Sequence, residues 1–173
     1  MRKPAEVIVR TASGDELERA GMVCAAAYRA DGVSSSAYEQ LLLDAPQRAR
    51  SAEVLVAVTE DDRMLGTVTY VDSDGPYAEI RREHEAELRM LAVAPNWRRG
   101  GIGATLVRAC LHKAREDQLA GAVVSTARQM QAAHRLYRRL GFRRSTARDW
   151  STRTGLPLEV YELGLAASAG QDA

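Results

Sequence analysis

Apolar and polar positions recur with two periods along this chain, and the changes of period divide it into elements. Val7-Ile8-Val9 is a short apolar run that predicts a first strand. Ser13 or Asp15 can cap a helix running to about Tyr28, and Asp31 to Ser35 reads as a polar loop. Ser36 to Arg50 predicts a second helix, interrupted near Pro46, where a backbone donor is lost. Glu53 to Val58 and Met64 to Val71 predict a hairpin across Glu60-Asp61-Asp62-Arg63. Ser73 to Pro76 ends it, and the charged stretch from Tyr77 to Ala86 is expected to be a loop. A central strand then starts at Glu87. Strict alternation puts Leu88, Met90 and Ala92 on one face, and Glu87, Arg89, Leu91 and Val93 on the other. From Ile102 to Gln118 the period is helical, with Ile102, Leu106, Cys110 and Ala114 on one stripe. Ala122 to Thr126 predicts a strand, and Met130 to Leu140 a helix closed by Gly141. Within that helix Ala133, Leu136 and Leu140 form a stripe expected to be buried, with Tyr137 at its edge. Phe142 to Thr146 and Leu158 to Leu163 predict the last strands, joined through Trp150 and Thr154-Gly155. The predicted order is βααβββαβαββ.

The stretch from Glu87 to Leu106, ELRMLAVAPNWRRGGIGATL, carries the most chemistry. Pro95 stops the strand, and Gly100, Gly101 and Gly103 then lie at a strand-to-helix turn beside Arg98 and Arg99. Glycines there let the backbone approach a ligand closely, and the helix dipole favours negative charge at the exposed amides. The pattern reads as a phosphate cradle. A Walker loop would end in Gly-Lys-Ser/Thr, which is missing here. A dinucleotide fingerprint would continue Gly101-x-Gly103 to Gly or Ala at the next fixed position, where Leu106 stands.

Arg98-x-x-Gly101-x-Gly103, preceded by Leu91-Ala92-Val93-Ala94-Pro95, resembles the acyl-CoA pyrophosphate loop of the GNAT acetyltransferase superfamily. Ala133-His134-Arg135-Leu136-Tyr137-Arg138-Arg139-Leu140-Gly141-Phe142 resembles that family's second segment, A-x-x-L-Y-x-x-L-G-F, in the expected place. The resemblance implies an α/β (α+β) GNAT fold. It would have a central mixed, mostly antiparallel sheet of about six or seven strands flanked by four helices. One domain over 1–165 is expected, with 166–173 as a disordered tail. It also implies acetyl-CoA as acyl donor and an amine-bearing acceptor, a small molecule or a protein amine. The cofactor would be held by Leu91, Ala92, Val93, Arg98, Arg99, Gly100, Gly101, Ile102, Gly103, Ala104, Met130 and Tyr137. Many members carry Asn seven residues before the tyrosine; this chain has Met130 there, between Gln129 and Gln131.

Charge is unevenly placed. Twelve Lys/Arg stand against Glu116 and Asp117 between Trp97 and Arg148, in a chain of net charge +1. A basic half suits a polyanionic cofactor, while the overall balance predicts neither nucleic acid nor an anionic membrane as partner. Cys24 and Cys110 sit on separate predicted helices and read as packing residues in a reduced compartment. His84, His112 and His134 have no metal-ligand spacing, so no metal is expected, and His134 reads as a solvated helix residue. No apolar run approaches the ~20 residues of a membrane span, so the chain is expected in the cytoplasm, as a monomer or homodimer.

Acyl transfer to an amine needs a base and an aid to the leaving sulfur. The resemblance implies Glu87 as general base, directly or through water, and Tyr137 as general acid. Glu79, Glu83, Glu85 and His84 are substitutes for the base. Tyr28, Tyr38, Glu39 and the Trp150 loop are candidates for the acceptor site, and Trp97 is expected to pack beside the cradle. The alternative is a catalytically silent GNAT-fold sensor or subunit that binds acyl-CoA.

Overall fold

The central strands of the sheet are apolar on both sides because helices cover both. In the computed structural model, which describes residues 6–166, β2 (Glu53–Val58) and β3 (Met64–Val71) are buried along almost their whole length. The sheet has eight strands in the order β1-β2-β3-β4-β5-β8-β6, with β7 also pairing with β8. β1 is Ile8–Thr11, β4 Glu85–Val93, β5 Gly121–Ala127, β6 Arg143–Arg144, β7 Trp150–Ser151 and β8 Pro157–Gly164. Among the described residues only β4 and β5 pair in parallel, and the other pairs are antiparallel.

On one face α4 (Ile102–Glu116) and α5 (Gln131–Arg139) cover a core built from Leu65, Val68, Tyr70, Leu88 and Val124. The predicted stripe of α4 is its buried side: Ile102, Leu106, Cys110 and Ala114 are at most 2% exposed. On the other face lie α1 (Glu16–Ala30), α2 (Ser36–Leu43) and α3 (Ala45–Arg48). The expected single helix from Ser36 divides at Asp44. Its carboxylate accepts the Gln47 amide at 3.1 Å and so caps α3, with Pro46 in that helix's first turn. That division gives five helices where four were expected, and β7 adds a strand.

Three other expectations are corrected. The buried residues of α5 are His134 and Tyr137, while Ala133, Leu136 and Leu140 flank the core half-buried. β4 begins two residues early, at Glu85, inside the stretch expected to be loop. Neither Ser13 nor Asp15 caps α1 through its side chain. Instead the Glu16 carboxylate accepts the Ser13 amide and two bonds from Arg10, which hold its carboxyl down at about 2. The tail from 166 lies, but for Ala166, outside the described residues.

The alternation in β4 fails at one residue, and this matters most. Thr67 pairs with Ala92 and Thr69 with Arg89, so three steps on β4 face two on β3. The extra residue makes a bulge, and Met90 has φ +53. Ala86 and Leu88 face α4 before it, and Leu91 and Val93 face α4 after it. Met90 and Ala92 pack toward α1. Register places Glu87 and Arg89 on the α1 side as well, opposite Val71 and Thr69. Glu87 therefore does not share a face with Leu91 and Val93.

Candidate active site

β4 pairs with β5 only from Glu85 to Leu88, after which the two strands part at the bulge. A cleft of about 680 Å³ opens there. Leu91, Ala92 and Val93 line one wall, and Arg98, Arg99, Gly101, Ile102, Gly103 and Ala104 its end. Met130, Gln129 and Gln131 line the wall before α5. Ten of the twelve residues named for the cofactor are thus brought together. Gly100 lies in the same loop outside the lining, and Tyr137 lies behind it. Past the bulge, the β4 edge turned to β5 keeps backbone groups without a strand partner.

The cradle has the geometry of an anion site. Gly101, at φ +81, is the cap residue of α4 and offers no side chain. The first main-chain bond of the helix runs from Thr105 to Gly101, so the amides of Ile102, Gly103 and Ala104 have no intrahelical partner. Arg99, also left-handed at φ +66, and Arg135 and Arg139 of α5 stand around this end. Among the described residues no carboxylate pairs with any of the three. Arg98 behaves differently: its guanidinium bonds Asp31 at 2.6 and 3.2 Å and the Ala27 carbonyl at 3.1 Å. It ties the loop to the end of α1. A Cβ on Gly103 would lie 3.2 Å from Leu136 and 3.7 Å from Val93, in the seam between the two cleft walls.

Tyr137 is 5% exposed and packs against Phe142 and Tyr161, with ring centroids 5.5 and 6.1 Å away. Burial pushes its phenol above the usual value, so it stays protonated at neutral pH. Tyr28, which lines the cleft, is raised by burial and then by its neighbours Tyr38, Cys24 and Tyr137. Tyr28 and Tyr38 meet edge-on at 5.9 Å, while Glu39 is taken by Arg29.

Glu87 is 1% exposed and outside the cleft lining. Its Oε2 accepts the successive amides of Glu79, Ile80 and Arg81 at 2.9, 3.0 and 3.1 Å. All three bonds fall on Oε2 and none on Oε1. The substitutes are less well placed. Glu85 is clamped by Arg148 at 2.8 and 2.9 Å, Glu79 lies 3.3 Å from Arg89, and Glu83 pairs with His84 on the surface. His134 is not a solvated residue: it is 2% exposed, bonding the Ala127 carbonyl at 3.0 Å and the Tyr161 hydroxyl at 2.8 Å. Trp97 packs on the core beneath Arg63, and Trp150 donates to Ser125 at 2.9 Å.

Sequence reasoning missed several supports. The Cys24 thiol, which burial pushes up to about 12, donates to the Met90 carbonyl at 3.6 Å and holds the bulge. Arg148 bonds the Ile80 carbonyl at 2.8 Å, so it fixes the segment that holds Glu87. Neither has a local sequence signal, since both partners are distant along the chain. Among the described residues no group of His, Cys, Asp or Glu has a metal-ligand arrangement, and no helix is long and apolar enough to cross a membrane.

A family model described as acetyltransferase (GNAT) family matches residues 23–142. No curated protein sequence matches the chain. Among solved structures, the chain resembles a GNAT-family acetyltransferase from Staphylococcus aureus Mu50, with TM-score 0.73, 14% identity, and 93% of this chain and 100% of that one covered. It resembles the ribosomal-protein-S18-alanine N-acetyltransferase of Escherichia coli at TM-score 0.70 and 18% identity, covering 97% and 99%. It also resembles the yncA acetyltransferase of Salmonella typhimurium, solved with its cofactor acetyl-CoA, at TM-score 0.67 and 20% identity, covering 98% and 99%.

Gly103→Val should place a branched side chain between Val93 and Leu136 and narrow the cleft floor. The expected outcome is a folded protein by circular dichroism whose coenzyme A affinity, by calorimetric titration, is weaker by ~10²-fold or more. Wild-type affinity in the folded variant would contradict the cradle.

Proposed function

The chain belongs to the GNAT acetyltransferase family, and from that premise we propose that it transfers an acetyl group from acetyl-CoA to a primary amine, in the cytoplasm. The observation that carries this reading is the meeting in one cleft of an unpaired β4 edge, an uncapped helix start and three arginines without carboxylate partners. These fit the extended amide arm and the pyrophosphate of coenzyme A. Acetyl-CoA supplies the thioester: an N–C bond forms, the C–S bond breaks, the amine loses a proton and the sulfur gains one.

Amides of Gly101 to Ala104 hold the pyrophosphate, supported by Arg99, Arg135 and Arg139, while Arg98 keeps the loop in place. Leu91 and Val93 offer main-chain groups to the pantetheine arm as an added strand would. Gln129, beside Met130, has its side-chain amide available, whereas Gln131 has spent its own on the Arg128 carbonyl at 2.6 Å. An amine of pKa ~10.4 is neutral in about one molecule in 10³ to 10⁴ at pH 7, so proton removal costs on the order of 4–5 kcal/mol. Glu87 Oε1 takes that proton through water, because its side chain does not line the cleft. Tyr137, behind the wall that Leu136 and Ala133 line and held protonated by burial, gives a hydrogen bond to the departing sulfur once the arm of the cofactor reaches the inner end.

Release of free thiol from acetyl-CoA on adding an amine tests the reaction itself. Tyr137→Phe keeps the ring and its packing and removes only the hydroxyl. The expected outcome is a fall in kcat of ~10- to 10³-fold with coenzyme A affinity nearly unchanged. A wild-type kcat would remove Tyr137 from the chemistry, and a protein with no turnover to lose would be a sensor. Glu87→Gln retains an oxygen for the three amides. It should lower the neutral-pH rate by ~10²-fold, with the loss shrinking as pH rises toward the amine pKa. A mutant-to-wild-type ratio that stays constant from pH 6 to 9 assigns the base elsewhere.

A further inference from the structure

We propose that the acceptor amine carries a carboxylate, taken by Arg89 on the α1 side of β4, where the buried Arg48 adds its positive charge. This rests on the acetyltransferase reading and names its substrate class. Arg48, at the end of α3, is the largest wholly buried side chain, at 0% exposure. Its Nε donates to Thr69 Oγ1 at 3.0 Å, and its Nη1 to the Leu41 and Leu42 carbonyls at 2.8 and 3.3 Å. Among the described residues its Nη2 has no partner and no carboxylate approaches it. A buried guanidinium without an anion is uncommon, because the lost hydration is normally returned by a carboxylate. Burial lowers the Arg48 pKa, as expected for an uncompensated cation.

Thr69, which holds Arg48, is the register partner of Arg89, so the two arginines are anchored at neighbouring positions on one face of the sheet. The Arg89 side chain is only 14% exposed. Its Nη1 donates to the Tyr77 carbonyl at 2.7 Å, and its Nη2 lies 3.3 Å from Glu79, the more exposed partner. Glu87 shares this face but spends its charge on three amides and reaches neither guanidinium within ion-pair distance. Leu42, whose carbonyl Arg48 bonds, packs in one cluster with Met90, Tyr38 and Tyr28, and Tyr28 lines the cleft. A bound amine would thus place its body beside two arginines. That environment repels the second cation of a polyamine and accepts a carboxylate, with Glu79 displaced toward solvent.

The test uses thiol release by the full chain with acetyl-CoA and paired acceptors: L-phenylalanine against phenethylamine, L-methionine against 3-(methylthio)propylamine, and L-lysine against cadaverine. For at least one pair the amino acid should have a kcat/KM ~10-fold or more above its decarboxylated partner, mainly through KM. Arg89→Gln should bring that ratio to about one, and Arg48→Gln, if it folds, should move it the same way. Amines that match or exceed their amino acids in every pair would overturn the proposal, as would a preference that survives Arg89→Gln. Should no acceptor release thiol although coenzyme A binds, the transfer reading fails alone. The carboxylate site is then decided by calorimetric titration of the same amino acids into the coenzyme A complex. Saturable binding lost in Arg89→Gln supports it, and the absence of binding overturns it.

Discussion

One extra residue in β4 is the constraint on which the site depends. A strand without it would keep Glu87, Arg89, Leu91 and Val93 on a single face, with β5 free to pair along the whole edge. With Met90 held at φ +53, the faces exchange and the pairing to β5 stops at Leu88. The strained carbonyl of Met90 is satisfied by the Cys24 thiol of α1, a proton that burial keeps on sulfur. The opening between two strands is therefore built into the sheet and held from the opposite side.

The charged side chains divide into those that hold the fold and those that remain free. Arg98 is consumed by Asp31 and Ala27, and Arg148 by Glu85, Glu162 and Ile80. Arg98 thereby fixes the loop at the end of the cleft, and Arg148 the segment that holds Glu87. Among the described residues Arg99, Arg135 and Arg139 have no such engagement, and they line the cleft that the start of α4 enters, where negative charge is already favoured. Preorganised donors of this kind bind a polyanion without first breaking internal ion pairs.

Much of this was legible in the chain. The helical stripe of Ile102 to Ala114 and the cradle at Gly101 follow local periodicity and turn chemistry, which sequence reports directly. The face of Glu87 was not legible, because alternation counts residues and a bulge adds one without any apolar marker. His134 was misjudged because its partners, Ala127 and Tyr161, are brought together by the packing of α5 on β5 and β8. Arg48 was invisible for a similar reason: an arginine after Pro46 and Gln47 looks like surface, and only the packing of α3 on α1 and β2, with the side chain reaching Thr69, buries it. Long-range contacts decide such positions, and local patterns do not encode them.

Amide hydrogen exchange with and without coenzyme A tests the central claim, that the parted β4 edge and the start of α4 receive the ligand together. The account predicts new protection on β4 beyond the bulge, at Leu91 to Val93, and at the amides of Gly101 to Ala104. No change is predicted at Glu85 to Leu88, already paired with β5. Protection confined to other segments at saturating coenzyme A would contradict it.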